Sequence, residues 1–303
     1  MVLEFDLPFE PRDPVVLAAF EGWNDAAEAA SGAIDHLINV FDATYIGGID
    51  PDEYYDFQVN RPTVRFSGDP DAAPTGAALE REITWPGTRF HLARTSTGRD
   101  LLLMQGIEPN MRWRAFVAEL LAVADEMSAT VWMLLGALLA DVPHTRPIQV
   151  TGNSSDPQYE KMLGLEASRY EGPTGINGVL TDGAYRLGIP SVSFWAAVPH
   201  YVAQPPCPKA TLALLRQVED ALDLAIDMGD LPESAKAWER GVAELADNDD
   251  EIAEYVRQLE QARDTTDLPE ASGDAIAAEF ESYLRRRNRD DRHRRSDPGD
   301  QPG

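Results

Sequence analysis

Five short apolar runs constrain this chain more than any other feature: PVVLAAF (14–20), ATYIGGI (43–49), TVWMLLGAL (130–138), RPIQVTG (146–152) and PSVSFWAAV (190–198). Each is rich in β-branched or aromatic residues and bounded by Pro, Gly or Asp, which is how buried strands read. Near-continuous apolarity, in place of strict alternation, suits parallel strands covered on both faces. RFHLARTSTGRDLLLMQG (89–106) reads instead as two strands joined around Thr97-Gly98, a hairpin that interrupts the pattern.

Helical periodicity fills the intervals. Trp113, Phe116, Val117, Leu120, Leu121 and Ala124 fall on one helical face, and Leu215, Val218, Leu222 and Ala225 repeat the device over 211–226. Strands alternating with helices predict an α/β protein, a three-layer α/β/α sandwich with a mostly parallel sheet. From about residue 230 the strand signals stop. Three amphipathic segments remain there: Trp238, Val242, Leu245; Ile252, Val256, Leu259; and Ile276, Phe280, Tyr283 with Leu284. The expected division is an α/β/α domain over 1–229, a helical appendage over 230–286 and a disordered tail over 287–303, which has no apolar face.

Composition limits the partners. The 303 residues carry 52 Asp and Glu against 26 Lys and Arg, a formal charge of −26, which repels both a phosphate backbone and an anionic bilayer. Neither nucleic acid nor membrane is expected as a partner. Cys207 is the single cysteine, so an intrachain disulfide and a cysteine-based zinc cluster are both excluded. The first residues, MVLEFDLPFEPRDP, place acids where a secretory signal needs a basic patch, and VWMLLGALLA is too short to span a bilayer. The expectation is a soluble, cytoplasmic protein.

Ligands of open α/β sheets bind outside the carboxyl ends of the strands, so the loops there are the place to look for function. The first, EGWNDAAE, carries Glu21, Trp23, Asn24 and Asp25; Asn24 or Asp25 makes a good helix N-cap, whereas Glu21 and Trp23 are not needed for one. GIDPDEYYDFQVNRP (48–62) adds Asp50, Asp52, Glu53, Asn60 and Arg61, and GIEPNMRW (106–113) places Glu108, Asn110 and Arg112 at a helix start. DVPHTRP holds His144 and Arg146, TGNSSDP is a small-hydroxyl turn with Asn153, and VPHYVAQPPCP holds His200 and Tyr201. GPTGING (172–178), with Asn177, reads as a strand-to-helix turn whose N–H groups can face an anion. These loops are expected to gather on one rim.

No phosphate-cradling loop ending in Lys-Ser/Thr, no G-x-S-x-G elbow and no H-E-x-x-H stands in the chain, and GPTGING does not follow dinucleotide spacing. Catalytic residues are not assigned, and neither a metal nor a cofactor is expected. The combination FEGWNDAAEAAS, DPDEYYDFQVNRP, GIEPNMRW, RPIQVTGNSS, GPTGINGVL and SFWAAVPHYVAQPPCPKAT, covering 14 to about 225 in order, resembles the PAC2 family of proteasome assembly chaperone-like proteins in its actinobacterial form.

That resemblance implies an α/β/α fold similar to purine nucleoside phosphorylases and related hydrolases. It also implies protein partners, proteasome-related ones among them, and a role in assembly in place of an established activity. Archaeal relatives use a C-terminal hydrophobic-Tyr-any residue motif; this chain ends in GDQPG, so insertion into proteasome pockets by that route is not expected. An enzyme of nucleoside phosphorylase or hydrolase type is the alternative, with rim acids and arginines holding ligand and His144 or His200 moving a proton. An ATP-dependent carboxylate-amine ligase ranks last, for want of a phosphate loop. Aromatic residues near the rim and the phosphorylase-like fold predict a homo-oligomer, a trimer before a dimer.

Overall fold

The first apolar run becomes β1 (Val15–Glu21), and its neighbours explain its composition. In the computed structural model, which describes residues 7–67, 80–165, 168 and 170–267, β1 pairs in parallel with β6 (Leu101–Ile107) and with β7 (Val131–Ala140). Val15 to Phe20 are all 0% exposed, so both pleated faces of the strand are covered. The register sets Val15 against Leu101 and Val131, and brings Glu21 level with Ile107 at the carboxyl end.

With β2 (Thr44–Gly48), β5 (Thr88–Ala93), β8 (Val150–Ser154) and β9 (Ser191–Pro199), these strands form one seven-stranded sheet in the order β2-β5-β6-β1-β7-β9-β8. The expected hairpin is present: β5 runs antiparallel to β6, with Ala93 opposite Leu101, and antiparallel to β2. Asp100 anchors its turn, accepting from Arg12 N–H at 2.9 Å, from Arg12 Nη2 at 3.1 Å (Asp100 Oδ1) and from Thr95 N–H at 3.3 Å. Burial alone would raise the Asp100 carboxyl, but these hydrogen bonds outweigh it and hold the group below the usual carboxylate range.

Packing divides the chain into two interleaved units, one comprising the segments up to Asp25, Ile34–Gly136 and Gly152–Ser193, the other Ala26–Ala33, Ala137–Thr151 and the residues from Phe194 on. In the first, Val16, Ala18 and Phe20 of β1 share a core with Phe116, Val117 and Leu120 of α2 (Trp113–Glu126) and with Ile176 and Leu180 of α4 (Ile176–Arg186). Phe116 takes the edge-to-face neighbours Phe20 at 5.9 Å and Tyr54 at 5.3 Å. A Cβ on Gly183 would meet Val117 Cγ1 at 2.8 Å, so the bare glycine lets α4 lie against α2. In the second unit, α5 (Pro208–Leu222) buries Ala210, Leu214, Leu215 and Val218, α6 (Leu231–Asp247) packs on α5, and α7 (Asp250–Asp267) packs on α6. Among the described residues no helix is long and apolar enough to cross a membrane.

Several elements depart from the sequence reading. The run expected at 146–152 pairs only from Val150, beyond Pro147, which has no N–H to give a ladder. The first helix starts late: a 3-10 turn, Ala26–Glu28, with Ala27 and Glu28 at φ 53°, precedes α1 (Ala29–Val40). The helix expected over 211–226 stops at Leu222, where Asp223 turns left-handed at φ 50°, and Leu224 and Ile226 are buried in place of Ala225. On α6 the buried stripe is Ala235, Val242 and Ala246, while Leu245 is 66% exposed. GPTGING follows a helix, α3 (Pro157–Leu163), in place of a strand. A separate two-stranded sheet of β3 (Thr63–Ser67) and β4 (Glu80–Thr84) was not foreseen. The amphipathic segment of Ile276, Phe280, Tyr283 and Leu284 and the tail over 287–303 lie outside the described residues.

Candidate functional site

The sequence-predicted site residues fall into two groups, one in each unit. In the first unit the carboxyl ends of β1 and β6 are tied together: Glu108 N–H donates to Glu21 O at 2.9 Å. Glu108 then reaches sideways. Its Oε1 accepts from Asn24 Nδ2 at 2.8 Å and from the Ile176 N–H at 2.8 Å. The Glu108 carboxylate thus occupies the N-terminus of α4, where a helix presents unpaired N–H groups and favours negative charge. The anion expected at GPTGING is the chain's own side chain.

Asn24 is 0% exposed and is not the helix cap that its position suggested; its amide serves Glu108 across the loop ends. Its Oδ1 lies against Gly175, where an added Cβ would come within 2.1 Å. Asn177, also buried, donates from Nδ2 to Leu135 O at 3.0 Å, fixing the first turn of α4 to β7. Asp25 is buried, with its N–H on Gly22 O at 3.1 Å, whereas Trp23 beside it stands 64% exposed. Gly22, at φ +105°, makes the turn that separates them.

The 48–62 loop is fastened to the same region. Asp50 caps a 3-10 turn, Pro51–Glu53, by accepting from Asp52 N–H at 3.1 Å. Asn110 Oδ1 accepts from Asp56 N–H at 2.8 Å and from Asn60 Nδ2 at 2.9 Å, while Asn110 N–H donates to Tyr54 O at 3.0 Å. Arg112, left-handed at φ 57° just before α2, pairs with Glu53 and lies 5.7 Å above the Tyr54 ring. Tyr54 O–H donates to Glu119 at 2.5 Å; burial first, then Glu119, pushes the phenol upward. Tyr55 O–H donates to Ile107 O at 2.8 Å, and burial pushes it up to about 12. Asp52 and Arg61 are exposed. Asn153 is not in a turn after a strand but inside β8, accepting from Ser193 Oγ at 3.0 Å.

The second group, His144, Arg146, His200 and Tyr201, serves the helices. His144 Nδ1 and its backbone N–H both meet Tyr201 Oη, at 2.8 and 2.7 Å, and Lys209 bonds to His144 O and to Glu239 on α6. Arg146 grips α7 through Asp264, at 2.9 and 2.8 Å, and through Glu260 at 3.3 Å; Thr145 also bonds to Glu260. Tyr255 of α7 donates to Asp141 at 3.1 Å, and its ring stands edge-on to His200 and Tyr201. Burial, helped by the charge on Lys209, lowers the His144 pKa below its ordinary value, against the opposing pull of Glu239, Glu260 and Asp247. These four residues form a socket for α6 and α7. Arg146, foreseen as a ligand-binding cation, is occupied by two carboxylates.

Sequence reading missed the partners that give these residues their roles: Glu119, Lys209, Glu239, Tyr255, Glu260 and Asp264. Each lies on the side of a helix far along the chain, and in a sequence with 52 acids no spacing singles out the ones that pair.

Fold and loops together define a mixed α/β protein whose strand-end polar residues are cross-linked to one another, with exposed apolar side chains next to them in the sequence. The chain belongs to the PAC2 family, whose model matches residues 19–246. A PAC2 family protein from Streptomyces avermitilis is 53% identical, covering 80% of this chain and 100% of that one, with a TM-score of 0.73. A proteasome-assembly chaperone homologue from Mycobacterium tuberculosis is 51% identical over 80% of this chain and 99% of its own, with a TM-score of 0.70. PbaB of Pyrococcus furiosus, an archaeal proteasome activator, shares the fold at 17% identity and a TM-score of 0.60, covering 80% of this chain and 97% of that one. A comparison with curated proteins finds no match.

Proposed function

We propose that this chain is an assembly or interaction protein that holds protein partners on the strand-end loops of its first unit, proteasome subunits being the partner class that its relatives suggest. The observation that carries the reading is the division of labour in EGWND and its neighbours. Asn24, Glu108, Asn110 and Asn60 are committed to each other, whereas Trp23, Val59 and Met111 stand 64%, 68% and 44% exposed. A stiff polar frame presenting aromatic and apolar side chains is the make-up of an interface, in which a few such residues carry most of the binding energy. Supporting the same reading, two of the groups that the enzyme alternative calls on, Arg146 among the rim arginines and His144 of its two histidines, are engaged by α7 and by Tyr201. The finer fold assignment, a three-layer sandwich, is supported by the burial of both faces of β1.

The test is co-purification from the native host with tagged wild type, Trp23→Ser and Val59→Ser. Retention of proteasome subunits by wild type, with at least a tenfold loss in the variants and an unchanged melting temperature, supports the proposal. Wild type that retains no such subunit, or variants that retain as much, overturns it.

A further inference from the structure

The socket around His144 and Arg146 is built from loops, and α7 plugs it. Asp141, Thr145 and Arg146 follow β7, while His200 and Tyr201 follow β9. Arg146 meets Asp264 side-on, from Nε and Nη2 at 2.9 and 2.8 Å, and reaches Glu260 from Nη1 at 3.3 Å. Thr145 Oγ1 donates to the same Glu260 oxygen. Residues four apart lie one above the other on a helix, so a forked cation can hold both carboxylates at once. Toward the start of α7, Tyr255 donates to Asp141 at 3.1 Å, with its ring edge-on to His200 at 5.4 Å and to Tyr201 at 6.1 Å. The receiving loop also has anchors apart from α7: Tyr201 Oη meets the His144 N–H at 2.7 Å, and Lys209 joins His144 O to Glu239 of α6.

The plug itself is held by little else. Among the described side chains of α7 only Val256 is buried, whereas α5 buries Ala210, Leu214, Leu215 and Val218 among others. Its sequence carries six acids against Arg257 and Arg263, in a chain already at −26. Such a helix is repelled by most of the molecule, so its hold depends on the groups that the socket offers. Only Asn248 and Asp249 link it to α6, and the family match ends at 246, before α7 begins. The socket therefore lies in the matched part of the chain and the plug does not.

We propose that this socket is a binding site for an acidic helix of a partner protein, and that α7 fills it as the chain's own stand-in. The ligand chemistry is that of α7: a Tyr-Val pair, with carboxylates five and nine residues after the tyrosine, as Glu260 and Asp264 follow Tyr255. Competition sets the strength. A tethered helix meets its site at an effective concentration on the order of millimolar, so a foreign helix displaces it by adding apolar contacts that α7, with one described side chain buried, does not make. Exposed ion pairs are screened by salt, so the plug loosens as ionic strength rises. The inference concerns the second unit alone and stands apart from the partner-binding reading of the strand-end loops in the first.

The experiment uses the full chain and, as probe, a fluorescent peptide of residues 250–267. Glu260→Ala with Asp264→Ala, which frees the socket without adding positive charge, should bind the peptide at least tenfold more tightly than wild type by anisotropy at low salt. Adding Arg146→Gln to that variant should weaken the binding at least tenfold, with circular dichroism unchanged. In wild type, hydrogen exchange of the α7 amides should quicken at least threefold between about 0.05 and 1 M NaCl, while that of α5 stays the same. An alanine variant that takes up no peptide, equal binding by wild type, or α7 exchange indifferent to salt would each overturn the proposal. So would a wild-type dimer that the alanine pair dissolves, since α7 would then be exchanged between copies and no foreign helix would be needed.

Discussion

Gly175→Ala tests whether the glycine before α4 exists to admit Asn24. Its backbone, at φ −89° and ψ −174°, is extended and open to alanine, so strain plays no part, and the loss of unfolded-state freedom would by itself stabilise by about 0.4–1 kcal/mol. Against that, the new methyl would stand 2.1 Å from Asn24 Oδ1, 2.8 Å from its Cγ and 2.9 Å from its Nδ2. Asn24 has little room to yield, being 0% exposed and tied to Glu108 at 2.8 Å. Either the site is overpacked, at about 1–3 kcal/mol, or Asn24 swings out and the bond to the Glu108 carboxylate, worth about 1.5–3 kcal/mol, is lost. The expected net loss is about 1–3 kcal/mol, read from urea midpoints by circular dichroism with m held common. In an Asn24→Ala background the atoms that the methyl meets are gone, and Gly175→Ala should cost nearly nothing. If the two changes instead add within about 0.5 kcal/mol, the glycine is not there for Asn24 and the reasoning fails.

Asp100→Asn should destabilise by about 2 kcal/mol at pH 7, the scale of hydrogen bonds to a charged group. Because the folded pKa of Asp100 is depressed, its contribution is full above the unfolded value near 3.9 and is lost as pH falls through the folded one, so the variant's acid unfolding below about pH 4 should be shallower than wild type's; curves of equal slope would refute this. His144 has the opposite chemistry but also a depressed pKa, so between its folded and unfolded values the unfolded chain binds the proton and the folded chain does not. Wild type should therefore lose more urea resistance from pH 7.5 to 5.5 than His144→Asn, and an equal loss would show that the ring is indifferent to its socket.

The framework was legible because β1 is written as an unbroken apolar run, the β5–β6 hairpin as two apolar runs around Thr97-Gly98 and α2 as a helical period, and such local signals survive any tertiary context that buries them. What escaped depends on the partner in place of the pattern. Asn24 looks like a cap locally and becomes a cross-brace only because Glu108, 84 residues later, arrives beside it. Ala27 and Glu28 adopt positive φ with neither a glycine nor an asparagine to announce it. β3 offers only Val64 and Phe66 as a signal, and β4 only Ile83, too few to count as a strand before they are paired. The strand-end loops were placed correctly at Glu21 and Glu108, but His144 and Arg146 drew attention as chemistry when the acids that would claim them lay on α7.

The place of β1 in the sheet also sets an order of events during synthesis. Among the described residues it is the first strand in the chain, yet its partners begin only at Leu101 and Val131. At about 5–20 residues per second, the ribosome leaves VVLAAF without a neighbour for roughly 4–17 seconds before β6 is complete. A segment that finishes fully buried therefore spends that interval exposed and in need of an escort while the chain is being born, and crowding or slow codons between residues 21 and 107 would lengthen that exposure.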